Sequence, residues 1–274
     1  MVVEVVAAVM ADSLALLSDG AHMLTDSVGI GMAVAAIGLA NRAARGRADE
    51  SRTFGLYRLE ILAALANAVL LFGVAGYLLY EAFTRLGDAP DVGVGAMFVV
   101  GSGGLAVNVV VFLLLRQGAQ ESLNVEGAYL EALADLLGSV AVIVAAVVVT
   151  TTGWNYADPL AAVAIALWLL PRTWKLAARS VRVLIQAAPS GVDLDGLRTE
   201  LAALPGVVDV HDLHVWTLTS EMDVASAHLM TGAGADAHSV LDRARDLLRD
   251  SYSIDHATLL VEPDDHLGCA VVDW

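Results

Sequence analysis

LEALADLLGSVAVIVAAVVVT, Leu130–Thr150, is apolar over a length that suits a membrane crossing, yet it holds two carboxylates near its start. A helix needs about 20 mostly apolar residues to cross the bilayer core. A charge at that depth costs roughly 3 kcal/mol or more, so it marks a functional candidate by default. Glu131 and Asp135 are spaced i, i+4 and therefore share one helix face. The same spacing recurs at His22 and Asp26, at the head of a second apolar run, Met23–Ala40. If the two faces meet, one imidazole and three carboxylates surround one point within the membrane. Such a nitrogen and oxygen set suits a tetrahedral divalent ion. A lone membrane histidine is commonly a packing residue, and a lone carboxylate near a helix end snorkels to the interface. Two such pairs on different spans point to an ion site instead.

Composition agrees with a membrane protein. Hydrophobic residues make up 57% of the 274, and charged residues only 17%; the mean hydropathy is +0.67. Apolar segments fall near Val2–Leu17, Met23–Ala40, Leu59–Phe83, Val92–Leu115, Leu130–Thr150 and Leu160–Ala178, which predicts six transmembrane helices. The first is short and includes Glu4 and Asp12. It begins abruptly inside an apolar run, as an alternative start or a shortened first helix would, and no cleavable signal peptide is apparent.

Arginines orient the spans. Arg42, Arg45, Arg47, Arg52 and Arg58 follow the second, Arg116 follows the fourth, and Arg172, Lys175, Arg179 and Arg182 lie at the exit of the sixth. The opposite links, Gly87–Asp91 and Gly153–Asp158, carry aspartates and almost no positive charge. The positive-inside rule then puts both termini in the cytoplasm, and the cell (inner) membrane is the expected location.

A transmembrane domain of residues 1–186 is expected to precede a cytoplasmic domain of residues 187–274. The tail reads as helix Asp193–Leu204, strands Val207–Thr217 and Met222–Met230, helix Ala237–Arg249 and strand Ala257–Val261, an α+β unit. From residue 190 onward, sixteen carboxylates face four arginines, so the tail carries twelve of the sixteen net negative charges. That balance reads as solubility and excludes nucleic acid as a partner. Cys269, the one cysteine, excludes an internal disulfide and a Cys-based zinc cluster.

Other polar positions have simpler readings. Asp12 and Asp19 are expected near solvent at the outer ends of the first two spans. Asn67 and Asn108 are expected to hydrogen-bond between helices, and Gly101–Gly104 to form a close-packing surface. Asp158-Pro159 reads as an N-cap with proline in the first turn of the sixth helix. No His-Glu-x-x-His motif is present, so an intramembrane metallohydrolase is disfavoured and no enzyme activity is expected.

SLALLSDGAHMLTDS (residues 13–27), RTFGLYRLEILAALANAVLLF (52–72), ADLLGSVAVI (134–143) and VHDLHVWTLTSEMDVASAH (210–228) resemble the cation diffusion facilitator family, in particular its zinc-exporting branch. The resemblance covers nearly the whole chain. It implies a homodimer of six-helix protomers with a ferredoxin-like cytoplasmic domain, exporting a divalent metal in exchange for protons. It also implies a transport site of His22, Asp26, Glu131 and Asp135, with Glu131 standing where the zinc branch usually has histidine. Zinc is the first expectation. The harder donor set leaves exporters of manganese, iron, cobalt or cadmium as the alternative. A metal sensor that moves nothing is a third reading. The histidine-rich loop common between the fourth and fifth helices is missing from Arg116–Gly127. In the tail the resemblance suggests a regulatory metal site drawn from His211, His228, Asp255, His256 and Glu262. His214 and Trp216 are expected to pack the domain or its dimer contact.

Overall fold

The computed structural model describes residues 1–45, 53–118, 123–220 and 222–263. Arg47, Arg52 and Cys269 lie outside the described residues, as does the middle of the Arg116–Gly127 link. The elements run α1 (Val2–Ala11), α2 (Leu14–Arg45), α3 (Arg58–Arg85), α4 (Val94–Gly118), α5 (Leu123–Thr152), α6 (Ala157–Leu184), α7 (Leu194–Ala202), β1 (Val207–Thr219), β2 (Met222–Thr231), α8 (Ala237–Tyr252) and β3 (His256–Pro263). Contacts divide the chain into two compact units: Met1–Val34 with Ala63–Ala177, and Ala35–Leu62 with Ala178–Trp274.

Among the described residues, α2 to α6 are long and apolar enough to cross a membrane. The first expected crossing, Val2–Leu17, is not met by a helix of that length, because α1 has ten residues and rises only about 15 Å. The chain breaks earlier than the apolar pattern suggested. Asp12 takes a left-handed conformation (φ 51°) and ends α1, its N–H bonding to the Ala8 carbonyl. One helix then runs unbroken through Asp19, Gly20 and His22.

A carboxylate from elsewhere starts that helix. Asp158 Oδ1 accepts from Ser13 Oγ at 2.6 Å and from the Ala15 N–H at 3.2 Å, while Oδ2 accepts from the Leu14 N–H at 2.6 Å. Ser13 Oγ accepts from the Leu16 N–H in turn. Asp158 is fully buried. It therefore caps α2 from the first turn of α6, and the expected role as a cap of its own helix is corrected. The first turn of a helix leaves N–H groups without intrahelical acceptors and carries a partial positive charge, both of which favour a carboxylate there.

Small residues let the helices of the first unit approach closely. Ala8, Ala15, Leu16, Met97, Val142, Ala145, Ala146, Ala157 and Ile165 form a buried cluster joining α1, α2, α4, α5 and α6. A Cβ on Gly101 would meet Val142 at 3.3 Å, so the glycine-rich stretch does serve close packing. Large apolar side chains such as Phe83, Val99, Leu114 and Trp168 face outward.

In the second unit, β1 pairs antiparallel with β2, and β2 pairs parallel with β3 through the α8 crossover. Leu197 and Leu201 of α7 and Val240, Ala244 and Leu248 of α8 bury against Val210, Val215, Ala225 and Leu229. Asp193 and Asp236 cap the two helices. The expected order of helices and strands is the observed one. Glu60, at the start of α3, accepts from Thr219 Oγ1 and Ser220 Oγ, each at 2.8 Å.

Removing the α2 cap tests this account. Asp158→Ala leaves three donors without their acceptor and is expected to lower stability by about 2–3 kcal/mol. The midpoint of thermal unfolding in detergent should drop, with Asp158→Asn in between. Equal midpoints would remove the capping role.

Candidate metal centres

His22 and Asp26 lie well inside α2, and Glu131 and Asp135 lie in α5. Ligand atoms of His22, Asp26 and Glu131 fall within 4.8 Å of one another. His22 Nε2 is 3.4 Å from Asp26 Oδ2 and 3.7 Å from Asp135 Oδ1. All four sequence-predicted residues thus converge. The imidazole is 6% exposed, and neither ring nitrogen has a hydrogen-bond partner. Asp135 Oδ1 is likewise buried without one. Buried polar atoms left unpaired are costly, so their clustering here fits groups kept ready for a ligand.

These residues line a cavity of about 650 Å³ bounded by α2 to α6. Its walls run from His22 to Ala33 on α2, to Leu115 on α4 and to Leu176 on α6. Asn67 is among the lining residues and packs against Gly29, but its Oδ1 is buried without a hydrogen bond. Arg172 also lines the cavity, and its guanidinium is ion-paired with Glu131. In the sequence this arginine reads only as part of the basic exit of the last span.

A second cavity of about 160 Å³ lies on the other side of His22, where Asp19 is one of its lining residues. Asp19 is 2% exposed, which corrects the expectation of simple solvent exposure. Ser139 Oγ donates to Asp19 Oδ2 at 3.2 Å and accepts from Asn108 Nδ2 at 3.2 Å, so Asn108 does bridge α4 and α5. Glu4 is also buried, with the Met1 amino group 2.7 Å from its Oε2. Asp12 is exposed and accepts from Arg85 Nη2 at 2.7 Å.

The tail holds a second cluster. His211 and His228 are direct cross-strand partners, with ring centroids 5.2 Å apart. Ligand atoms of His211, Asp212 and His228 lie within 4.8 Å of one another. Glu262, buried on β3, approaches His228 Nδ1 at 3.1 Å and His211 Nε2 at 3.9 Å. His211 Nε2 is buried without a hydrogen bond. Asp212 was not among the expected residues. It occupies a bulge in β1 with φ 49°, and the extra residue turns its carboxylate towards His228. Strand alternation would place Asp212 on the face opposite His211, which is why the sequence pattern hid it.

Asp255 and His256 lie elsewhere. His256 is in register with Val224, whereas His228 is in register with Leu260, so His256 is at the opposite end of β3 from Glu262. Both residues are exposed, and the His256 ring meets Phe54 edge-on. The structure therefore joins His211, His228 and Glu262 but not Asp255 or His256. His214 is exposed rather than packed inside its domain, while Trp216 lines a cavity of about 360 Å³ with Phe54, Leu59 and Leu218.

Comparison with known proteins supplies the family. Residues 1–185 match the cation efflux transmembrane domain, and residues 189–264 match the cation efflux protein cytoplasmic domain. The chain is 47% identical over 263 residues to the metal cation efflux system protein CzcD of Cupriavidus metallidurans, covering 96% of this chain and 82% of that protein. It is 33% identical over 274 residues to the cadmium, cobalt and zinc/H(+)-K(+) antiporter of Bacillus subtilis, covering 97% and 86%. With the zinc transporter ZitB of Escherichia coli it shares 37% identity over 276 residues, covering 98% and 87%. The metal-bound C-terminal domain of the Cupriavidus CzcD transporter aligns at 33% identity with a TM-score of 0.25, over 26% of this chain and 99% of that one. The chain belongs to the cation diffusion facilitator family, whose members are cation efflux proteins.

Proposed function

We propose that this efflux transporter exports zinc from the cytoplasm in exchange for protons, with His22, Asp26, Glu131 and Asp135 as the transport site. The observation that carries the reading is the convergence of these four side chains around an imidazole with two buried, unpaired nitrogens. Two of the relatives named above support the metal class, since their names specify zinc, or cadmium, cobalt and zinc. Cadmium and cobalt are the nearest alternatives, followed by manganese and iron.

A metal entering the larger cavity sheds water and takes ligands that must be deprotonated, so binding expels protons. When the metal leaves, the clustered carboxylates attract protons back. Metal and proton thus compete for one site, and rocking of the helices exposes it to each side in turn. Six helices per protomer with α1 as the short first member, a domain boundary near residue 186, a ferredoxin-like tail and a homodimer in the inner membrane complete the reading, with both termini cytoplasmic by arginine placement. In the tail, His211, Asp212, His228 and Glu262 would hold a regulatory metal. Bound there, it would supply positive charge and tie three strands together. The buried, unpaired His211 Nε2 fits that role.

Zinc uptake into proteoliposomes driven by a proton gradient tests the transport reading. Asp135→Ala and Asp26→Ala are each expected to abolish it while the protein still folds, and normal flux in either would exclude that carboxylate. Protons occupy the same ligands, so the apparent zinc affinity should fall as pH falls; an affinity constant between pH 8 and pH 5.5 would sink the competition. In an Asp135→Ala background, residual bound zinc should disappear on adding His228→Ala. Retention would leave the tail cluster without a metal role.

A further inference from the structure

Arg172 is the one cationic side chain among the described residues lining the larger cavity, and it faces the proposed transport site from α6. Its guanidinium pairs with Glu131, and its charge also acts on Asp26 and His22. With a neutral imidazole, Asp26, Glu131 and Asp135 give the metal-free site three negative charges, and Arg172 returns one. The remainder of two matches a divalent ion. A guanidinium keeps its proton at any working pH, so this compensation is fixed where protonation of a carboxylate is not.

We infer that Arg172 is a tethered counter-cation that determines specificity at this site: it holds Glu131 when no metal is bound, matches the site's charge to a divalent ion, and makes Glu131 a displaceable ligand. The inference rests on the transport-site reading above. An unengaged third carboxylate would harden the donor set and favour manganese or iron over zinc. With Glu131 drawn towards Arg172, the firm ligands are His22, Asp26 and Asp135, a set that keeps zinc ahead. Glu131 and Arg172 together then carry no more net charge than the histidine the zinc branch usually has at this place.

The test is zinc and manganese binding to the full chain carrying His228→Ala, which removes the tail cluster, in detergent at fixed pH and salt, by competition with a fluorescent chelator. Glu131→Gln leaves a net charge of minus one and should raise the zinc Kd about tenfold. Arg172→Gln leaves minus three and should lower it about tenfold, narrowing the zinc-to-manganese preference by a similar factor. Glu131→Gln combined with Arg172→Gln restores minus two and should return within about threefold of the parent. Arg172→Lys, which keeps the charge, should also stay within about threefold. A combined variant no tighter than Glu131→Gln alone would overturn the inference, as would an unchanged zinc-to-manganese preference in Arg172→Gln. If Arg172→Gln does not fold, Glu131→Gln with Arg172→Met carries the same expectation and leaves no orphan charge. Asp26→Ala separates the two levels. Zinc affinity unchanged by it defeats the transport site itself, whereas zinc affinity lost by it together with no rescue in the combined variant defeats only the role of Arg172.

Discussion

Charge brought into an apolar bundle must be compensated, and that constraint organises the membrane unit. The available compensations are hydrogen bonds, opposite charge, or a ligand that arrives later. Asp158 uses the first, with three donors from the start of α2. Glu131 uses the second, through Arg172. His22 and Asp135 keep buried atoms without hydrogen bonds, and His22 Nε2 and Asp135 Oδ1 lie 3.7 Å apart. Three buried atoms without hydrogen bonds, both His22 nitrogens and Asp135 Oδ1, are gathered at one point, while Ser18 Oγ and Asn67 Oδ1 lie apart from them.

The tail solves a related problem with a sheet instead of a bundle. Pairing across β1 and β2 brings two imidazoles face to edge, and β3 adds a buried carboxylate from the far side of β2. The candidate ligands come from all three strands, so a bound ion would report on the register of the whole sheet. The bulge at Asp212 depends on the same register, since it is an irregularity in the β1–β2 ladder.

Much of this was legible in the sequence because period and polarity carry it. The i, i+4 spacing of His22 with Asp26 and of Glu131 with Asp135 identified the converging faces, and hydropathy found five of the helices. The order of elements in the tail followed from its leucine spacing and β-rich runs. What was hidden depends on partners distant in sequence. Asp158 obeys the local rule for an N-cap, yet its acceptors serve a helix more than 140 residues away. Asp19 looked solvent-facing at the outer end of its span, because only the fold reveals Ser139 as its partner. Arg172 obeys the positive-inside rule, which conceals a second use. Asp212 is concealed by a bulge that breaks strand alternation, and β3 register separates Asp255 and His256 from Glu262.

The Asp158 cap has a mechanical meaning. It pins the start of α2 to the start of α6, while Arg172 lies on the same helix about 21 Å farther along its axis. A helix hinged at such a fulcrum amplifies small rotations. A tilt of about 5° at the pinned end carries the distant end about 2 Å sideways, enough to draw the guanidinium away from the Glu131 carboxylate. The hydrogen bonds that pin the start of α6 and the ion pair at its midpoint thus lie along one lever.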